Sequence, residues 1–300
     1  MTELRARVPA TSANVGPGFD SFALALPLLA EYEMRPARSW SVTVEGDAAG
    51  IPGGDDNLFV VAARATAAAA RQSLPPQHVT QRSAIPTGRG LGSSAAAIVG
   101  GCISANAALG APLDGRTLLR VAAEVEGHPD NVAGALRGGF TLTVPAEDGP
   151  VATRLPFPSA WRVCLFVPSR SLSTGEARAV LPSTVSRADA VFNLAHAAAL
   201  VAAILRADGP LLTLAMHDRL HQPARLRLVP ALDEIAAAAR SAGAFGAALS
   251  GAGPSVIAVA PARLAPRVVA AMEEAAAGAG AGGRARVLRV RAAGASVQRV

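Results

Sequence analysis

Apolar and polar positions alternate over Leu4–Val8 and over 77–85, most clearly from Val79 to Ile85, the period of a half-buried strand. Similar short runs predict strands over 30–36, 40–45, 140–144, 161–167, 245–249, 255–260 and 285–291. A helical period follows Asp56-Asn57 to about Arg71, then occupies 94–109, Asp114 to near Gly127, and 130–136. Further helices are predicted near 174–181 and over 187–206, 210–219, 230–241 and 262–277. Between these lie a polar Gly/Pro-rich loop from Pro9 to Asp20, a Pro/Gly linker over 145–158, and an Ala/Gly tract at 275–283 expected to be a mobile turn. The alternation has no regular βαβ spacing and no internal repeat. The expected fold class is α+β, with two sheet-plus-helix lobes over 1–152 and 153–300.

Composition narrows the chemistry. All 28 basic residues are arginine, so the lysine of a P-loop, of a protein-kinase strand or of a Schiff base cannot exist here. The net charge of +6 is spread along the chain, and stacking residues are few, with eight Phe, two Trp and one Tyr. A nucleic-acid surface would concentrate both, so the excess charge suits anionic small molecules and no nucleic-acid partner is expected. No basic segment precedes an apolar one at the start, and no run of about 18 apolar residues is read, so a cytoplasmic protein without membrane contact is expected. Cys102 and Cys164 lie in apolar runs as expected free thiols. His217 and His221 stand four apart, a spacing compatible with one helix face, but lack a third metal ligand nearby.

The most informative stretch is Pro86-Thr87-Gly88-Arg89-Gly90-Leu91-Gly92-Ser93-Ser94-Ala95-Ala96, which leads from a strand into an alanine-rich helix. Glycines let backbone approach a ligand, and the serines sit where helical N–H groups are unpaired at the positive end of the dipole. That arrangement holds phosphate. Two more glycine loops follow strands: P-A-T-S-A-N-V-G-P-G-F-D (9–20), with Thr11, Ser12, Asn14 and Asp20, and L-S-G-A-G-P-S (249–255), with Gly251. Either could be a turn alone. Three in one chain are harder to read that way.

With E-V-E-G-H-P-D-N (124–131), these loops resemble the motifs of the GHMP kinases, and within that family those of the homoserine kinases most closely. L-S-T-G-E-A-R (172–178), D-A-V-F-N-L-A-H (189–196) and D-R-L-H-Q-P-A-R (218–225) extend the resemblance along nearly the whole chain. It implies an N-terminal lobe like ribosomal protein S5 domain 2, a ferredoxin-like C-terminal lobe and a homodimer. It also implies ATP-dependent phosphorylation of the L-homoserine side-chain hydroxyl, a step toward threonine, with the nucleotide phosphates in the loop formed by Pro86, Gly88, Arg89, Gly90, Leu91, Gly92, Ser93, Ser94 and Ala95.

By the family pattern, Mg2+ would be held by a loop serine (Ser94, or Ser93) and a glutamate before H-P-D-N. Helical geometry separates the two candidates. Glu124 continues Arg116 and Arg120 at i+4 spacing and reads as a surface partner, whereas Glu126 continues the buried line of Leu118 and Ala122. Glu126 is therefore the expected ligand, since a buried carboxylate needs a cation or donor. The resemblance puts Asn14, Asp20, His128, Asp130, Thr174, Arg178, Arg225 and Gly251 at the acceptor. A bidentate arginine suits a carboxylate. Asp130, Glu126 and Ser94 are the expected catalytic set, with Asp130 chiefly a substrate ligand and only secondarily a base. Arg178 and Arg225 also read as surface arginines, Asp130 as a helix cap and His128 as a turn residue. Ala224 departs from the family pattern, where a tyrosine often precedes the arginine; the missing ring would enlarge the pocket, loosen Arg225, or be a neutral change in an alanine-rich chain. Rival readings are a GHMP kinase for a related amino alcohol or hydroxy acid, and a non-catalytic sensor on the same fold.

Overall fold

The computed structural model describes residues 3–46, 51–229 and 231–300. β1 (Leu4–Asn14) and β2 (Gly18–Pro36) form a long antiparallel hairpin, and β3 (Ser41–Glu45) lies on the far side of the same sheet. The loop expected over 9–20 is thus mostly strand, with only Val15 to Pro17 between the two. Its polar residues turn inward: Thr11 and Ser12 are fully buried and Asn14 nearly so. The 21–29 half of β2 also went unread, because Pro27 breaks its pattern. The hairpin absorbs that proline in a bulge, where the register slips from Pro9 opposite Leu29 to Ala10 opposite Leu26.

α1 (Leu58–Ala69) starts at Asn57, whose side chain accepts the Phe59 N–H at 2.9 Å. β4 (Gln77–Ser83) then joins β2 antiparallel and β3 parallel. α2 (Ser93–Ala108) follows the glycine loop, and α3 (Gly115–Glu126) is capped by Asp114 and closed by Gly127 in the left-handed region. α4 (Asp130–Arg137) leads to β5 (Phe140–Val144), which pairs with β2 and with β6 (Val151–Leu155). β6 lies inside the expected linker, its short V-A-T-R-L run hidden between proline and glycine. A boundary at 152/153 would cut this strand.

The second sheet has the order β10-β7-β9-β8, all antiparallel. β7 (Trp161–Pro168) is followed by α5 (Thr174–Ala179), α6 (Arg187–Arg206), α7 (Gly209–Ala215), α8 (Gln222–Leu226) and α9 (Ala231–Ser241). The expected helix start at Pro230 lies outside the described residues. β8 (Gly246–Leu249), β9 (Val256–Pro261), α10 (Ala265–Gly278), β10 (Gly283–Leu288) and β11 (Ser296–Arg299) complete the chain. The turn expected over 275–283 shrinks to 279–282, and the strand expected at 285–291 ends at Leu288.

Alternation along β7 divides two cores. Val163 and Leu165 join the large core shared with β1, α2, α6 and α7, while Cys164 and Phe166 face α9 and α10. β11 does not stay with the second sheet. It pairs with β1, from Leu4 opposite Arg299 to Arg7 opposite Ser296, so the segment after Leu288 returns to the first lobe. Cys102 and Cys164 are buried free thiols.

α6 is, among the described residues, the one helix long and apolar enough to cross a bilayer by length and composition. The sequence reading missed this, because Asp189, Asn193 and His196 interrupt its apolar run. In the fold it lies along the surface with Asn193, Leu200, Ala203 and Ile204 turned inward.

Candidate active site

The three glycine loops converge on one cleft of about 290 Å³ between the sheets. Gly90 and Gly92 are the tight points of the first loop, both at φ 69°. A Cβ on Gly90 would overlap the carbonyl oxygens of Ser250 and Gly253, and one on Gly92 would overlap Thr11 Oγ1. The opposing loop is tied on here: Ser250 Oγ donates to Gly90 O at 2.7 Å, and Leu172 N–H donates to Gly88 O at 3.0 Å. Arg89, expected at the phosphates, lines the cleft but spends its guanidinium on the carbonyls of Thr87, Pro168 and Ser169. It fastens the loop to the end of β7.

Gly92 caps α2 without any side-chain bond, and the first intrahelical bond runs from Ala96 N–H to Gly92 O. The N–H groups of Ser93, Ser94 and Ala95 therefore have no partner within the helix. Pro86, Gly88, Gly90, Leu91, Gly92, Ser93 and Ser94 line the cleft, as expected. Ala95 does not: its side chain is fully buried, because that side of the first turn of α2 already faces the core. Ile51, Leu58 and Ala97, which no motif announced, join Leu172 in an apolar wall, with Asn57 beside them.

Ser94 Oγ donates to Glu126 Oε1 at 2.7 Å. The Glu126 side chain is 7% exposed, and burial pushes its carboxyl above the usual range despite the Ser94 hydrogen bond. Glu124 instead pairs with Arg120 at 2.9 Å on the surface. His128 Nδ1 lies 3.0 Å from Asp130 Oδ1, and its Nε2 is 3.8 Å from Glu126 Oε1. Burial would lower the His128 pKa, but the Asp130 hydrogen bond and the two carboxylate charges outweigh it and raise the pKa. Asp130 Oδ1 also accepts the Asn131 N–H at 2.7 Å, and Thr11 Oγ1 donates to Asn131 Oδ1 at 2.8 Å.

On the opposite wall, Arg178 grips Asp20 through two bonds of 2.6 and 3.3 Å. Arg225 is 2% exposed. Its Nε donates to Ala177 O, and Nη1 reaches His221 Nδ1 at 3.1 Å and Gly251 O at 3.3 Å. Among the described residues no carboxylate lies within 4.0 Å of it. Burial, and then the Arg178 charge, hold its pKa below the usual arginine value. Asn14 donates to Gly251 O and accepts the Asp20 N–H. Thr174 completes this wall.

Two expectations are corrected. His217 and His221 share no helix face, because α7 stops at Ala215. His221 is fully buried, and its Nε2 bonds Gly16 O at 2.8 Å while Nδ1 faces Arg225; burial lowers its pKa. No group of three or more His, Cys, Asp or Glu suited to a metal occurs among the described residues. Ala224 is half-buried and does not line the cleft, so its small side chain does not enlarge the pocket.

The N-terminal domain of the GHMP kinases matches residues 57–139, and the C-terminal domain of the same family matches 200–278. The chain belongs to the GHMP kinases, a family of ATP-using phosphotransferases. It is 42% identical over 295 residues to the homoserine kinase of Desulfitobacterium hafniense, covering 98% of this chain and 99% of that one. It is 46% identical over 252 residues to that of Deinococcus radiodurans, covering 84% and 82%. The crystal structure of a homoserine kinase from Cytophaga hutchinsonii superposes with a TM-score of 0.89 at 30% identity, covering 99% of this chain and 97% of that one.

Proposed function

We propose that the protein transfers the γ-phosphoryl group of ATP to the side-chain hydroxyl of L-homoserine, releasing ADP and O-phospho-L-homoserine for threonine synthesis. The observation that carries the acceptor's class is Arg225, a buried guanidinium with no carboxylate partner among the described residues, open to the cleft. A buried charge needs a counter-charge, and the carboxylate of an amino acid supplies it. Arg178 and Asp20 flank this point, Asp20 accepting from the ammonium and Asn14, Thr174 and Gly251 completing the pocket.

The triphosphate lies along the Pro86–Gly92 loop, its charge met by the free N–H groups at the start of α2. Ser94 and Glu126 suit a magnesium ion: both offer hard oxygens, and Glu126 is buried with only a hydroxyl and a distant imidazole for company. When bound, the ion would neutralise phosphate charge. The acceptor hydroxyl attacks the γ-phosphorus as the bond to the β-phosphate oxygen breaks. Asp130 holds that hydroxyl, and His128 fixes the Asp130 carboxylate through its 3.0 Å contact. A loose transition state asks little of a base, so orientation is the main contribution.

ADP release with Mg-ATP against L-homoserine, D-homoserine, L-threonine, L-serine, mevalonate and galactose tests this reading. L-Homoserine should be strongly preferred. Equal turnover of mevalonate or galactose would refute it.

The same reading includes a homodimer, supported by the outer face of α6. Val191, Leu194, Ala198 and Leu205 lie along it, with Val201 at the stripe's inner edge against the core, and Val191, Leu194 and Leu205 are 59, 73 and 51% exposed. About Ala198 the stripe is nearly its own mirror, so antiparallel pairing across a two-fold axis sets Val191 against Leu205 of a second copy. Leu194→Glu should give monomers in sedimentation analysis. A wild type that is monomeric at micromolar concentration would remove the proposal.

A further inference from the structure

Phe19 stands at the start of β2, one residue before Asp20, and no motif reasoning gave it a task. Its ring stacks on His221, with centroids 5.3 Å apart and planes 24° from parallel. The guanidinium carbons of Arg225 and Arg178 lie 5.3 and 5.6 Å from the same ring centre. One half-buried ring therefore contacts both cleft arginines and the imidazole that meets Arg225 Nη1.

We propose that Phe19 is a positioning residue for the acceptor, its π face holding Arg225 and the Asp20-paired Arg178 in place while leaving the charge of Arg225 free for an α-carboxylate. The inference rests on the reading of this cleft as an amino-acid kinase site.

The two arginines repel, and Arg225 has been taken out of water. A second carboxylate beside Arg225 would steady it but would occupy the charge that the acceptor needs. An aliphatic side chain would fill the space without attraction. An aromatic face attracts a cation through its quadrupole and cancels none of its charge. The other contacts of Arg225 agree with this division. Its Nε and Nη1 are committed to Ala177 O, Gly251 O and His221, whereas Nη2 has no protein partner among the described residues. His221 belongs to the same brace, because its Nε2 is anchored to Gly16 O in the turn that precedes Phe19.

The test replaces Phe19 with phenylalanines bearing one, two and three ring fluorines, which weaken the quadrupole at nearly constant shape. The KM for L-homoserine should climb with each fluorine, reaching about tenfold at three, with kcat and the KM for ATP within about twofold. Phe19→Leu should match the trifluoro enzyme, and Phe19→Tyr should stay within about threefold of wild type. An L-homoserine KM that is flat across the series overturns the inference. So does a rise matched by the KM for ATP or by a falling Tm, which marks a packing defect. Failure of the wild type to turn over L-homoserine would sink the proposed function and this inference with it. A normal wild type with a flat series sinks the role of Phe19 alone.

Discussion

Ser250 and Gly90 are 160 residues apart in sequence and share a 2.7 Å hydrogen bond from a buried hydroxyl to a loop carbonyl. The same hydroxyl reaches Ser12 Oγ at 2.8 Å, so one oxygen joins all three glycine loops. Each loop is held in shape by the other two, and the Gly88–Gly92 loop depends on the second half of the chain.

Ser250→Ala should therefore weaken nucleotide binding without touching the nucleotide. Loss of these bonds is worth about 1–3 kcal/mol, so the KM for ATP should rise by about fivefold or more. An unchanged KM with a lowered Tm would show that the bond serves folding alone.

Gly90→Ala is the harsher version. The new Cβ meets two carbonyl oxygens at a positive φ, so the loop must shift. We expect about 2 kcal/mol or more of lost stability and a KM for ATP raised at least about tenfold. Wild-type values in thermal unfolding and in ATP titration would contradict the close approach.

Glu126→Gln separates stability from function. In the ligand-free protein the folded-state pKa of Glu126 lies above its unfolded value. The stability it contributes is full below the unfolded pKa and is lost as pH rises through the folded one. The amide carries no such cost, so at pH 7 the variant should melt higher than wild type, while kcat falls by about a hundredfold. The Tm advantage should shrink toward pH 4. A variant that melts lower than wild type at pH 7 would argue against a buried, unpaired carboxylate.

Arg225→Lys keeps the charge and loses the fork. The KM for L-homoserine should rise by about thirtyfold or more, in line with the 2–5 kcal/mol at stake when a buried charge pair is broken. The KM for ATP should not follow it.

Asp130→Asn distinguishes holding from proton transfer. As an acceptor ligand, Asp130 should give a raised KM and a kcat within about tenfold of wild type. A kcat lowered by several orders of magnitude at constant KM would make it the base instead.

Much of the cleft was legible because its chemistry is local. Gly88 to Ser94 announces a glycine loop opening a helix within seven residues, and helical phase alone separated the buried Glu126 from the exposed Glu124. The parts that were not legible depend on tertiary partners. Thr11, Ser12 and Asn14 look like loop residues until Asn131, Ser250 and Gly251 satisfy them inside a sheet. The first half of β2 was hidden by Pro27, since a bulge that accommodates a residue with no N–H is a property of the pair of strands. His221 read as half of a histidine pair because its real partners, Gly16 O and Arg225, come from a distant turn and from its own helix. The placement of β11 carried no local signal. Four residues of weak alternation become a strand only because β1 offers an edge.

That strand has a consequence for how the protein is made. Chains emerging from a ribosome ordinarily fold N-terminal units first. Here β1 keeps an open edge until residues 296–299 have been synthesised, although the rest of its sheet is encoded before residue 156. The nascent first lobe thus spends roughly half the translation time with an unpaired strand in its sheet. Such an edge can add a foreign strand. Stalled or truncated chains lacking this segment should therefore be chaperone clients, even though the whole Pro86–Ala95 loop is already present in them.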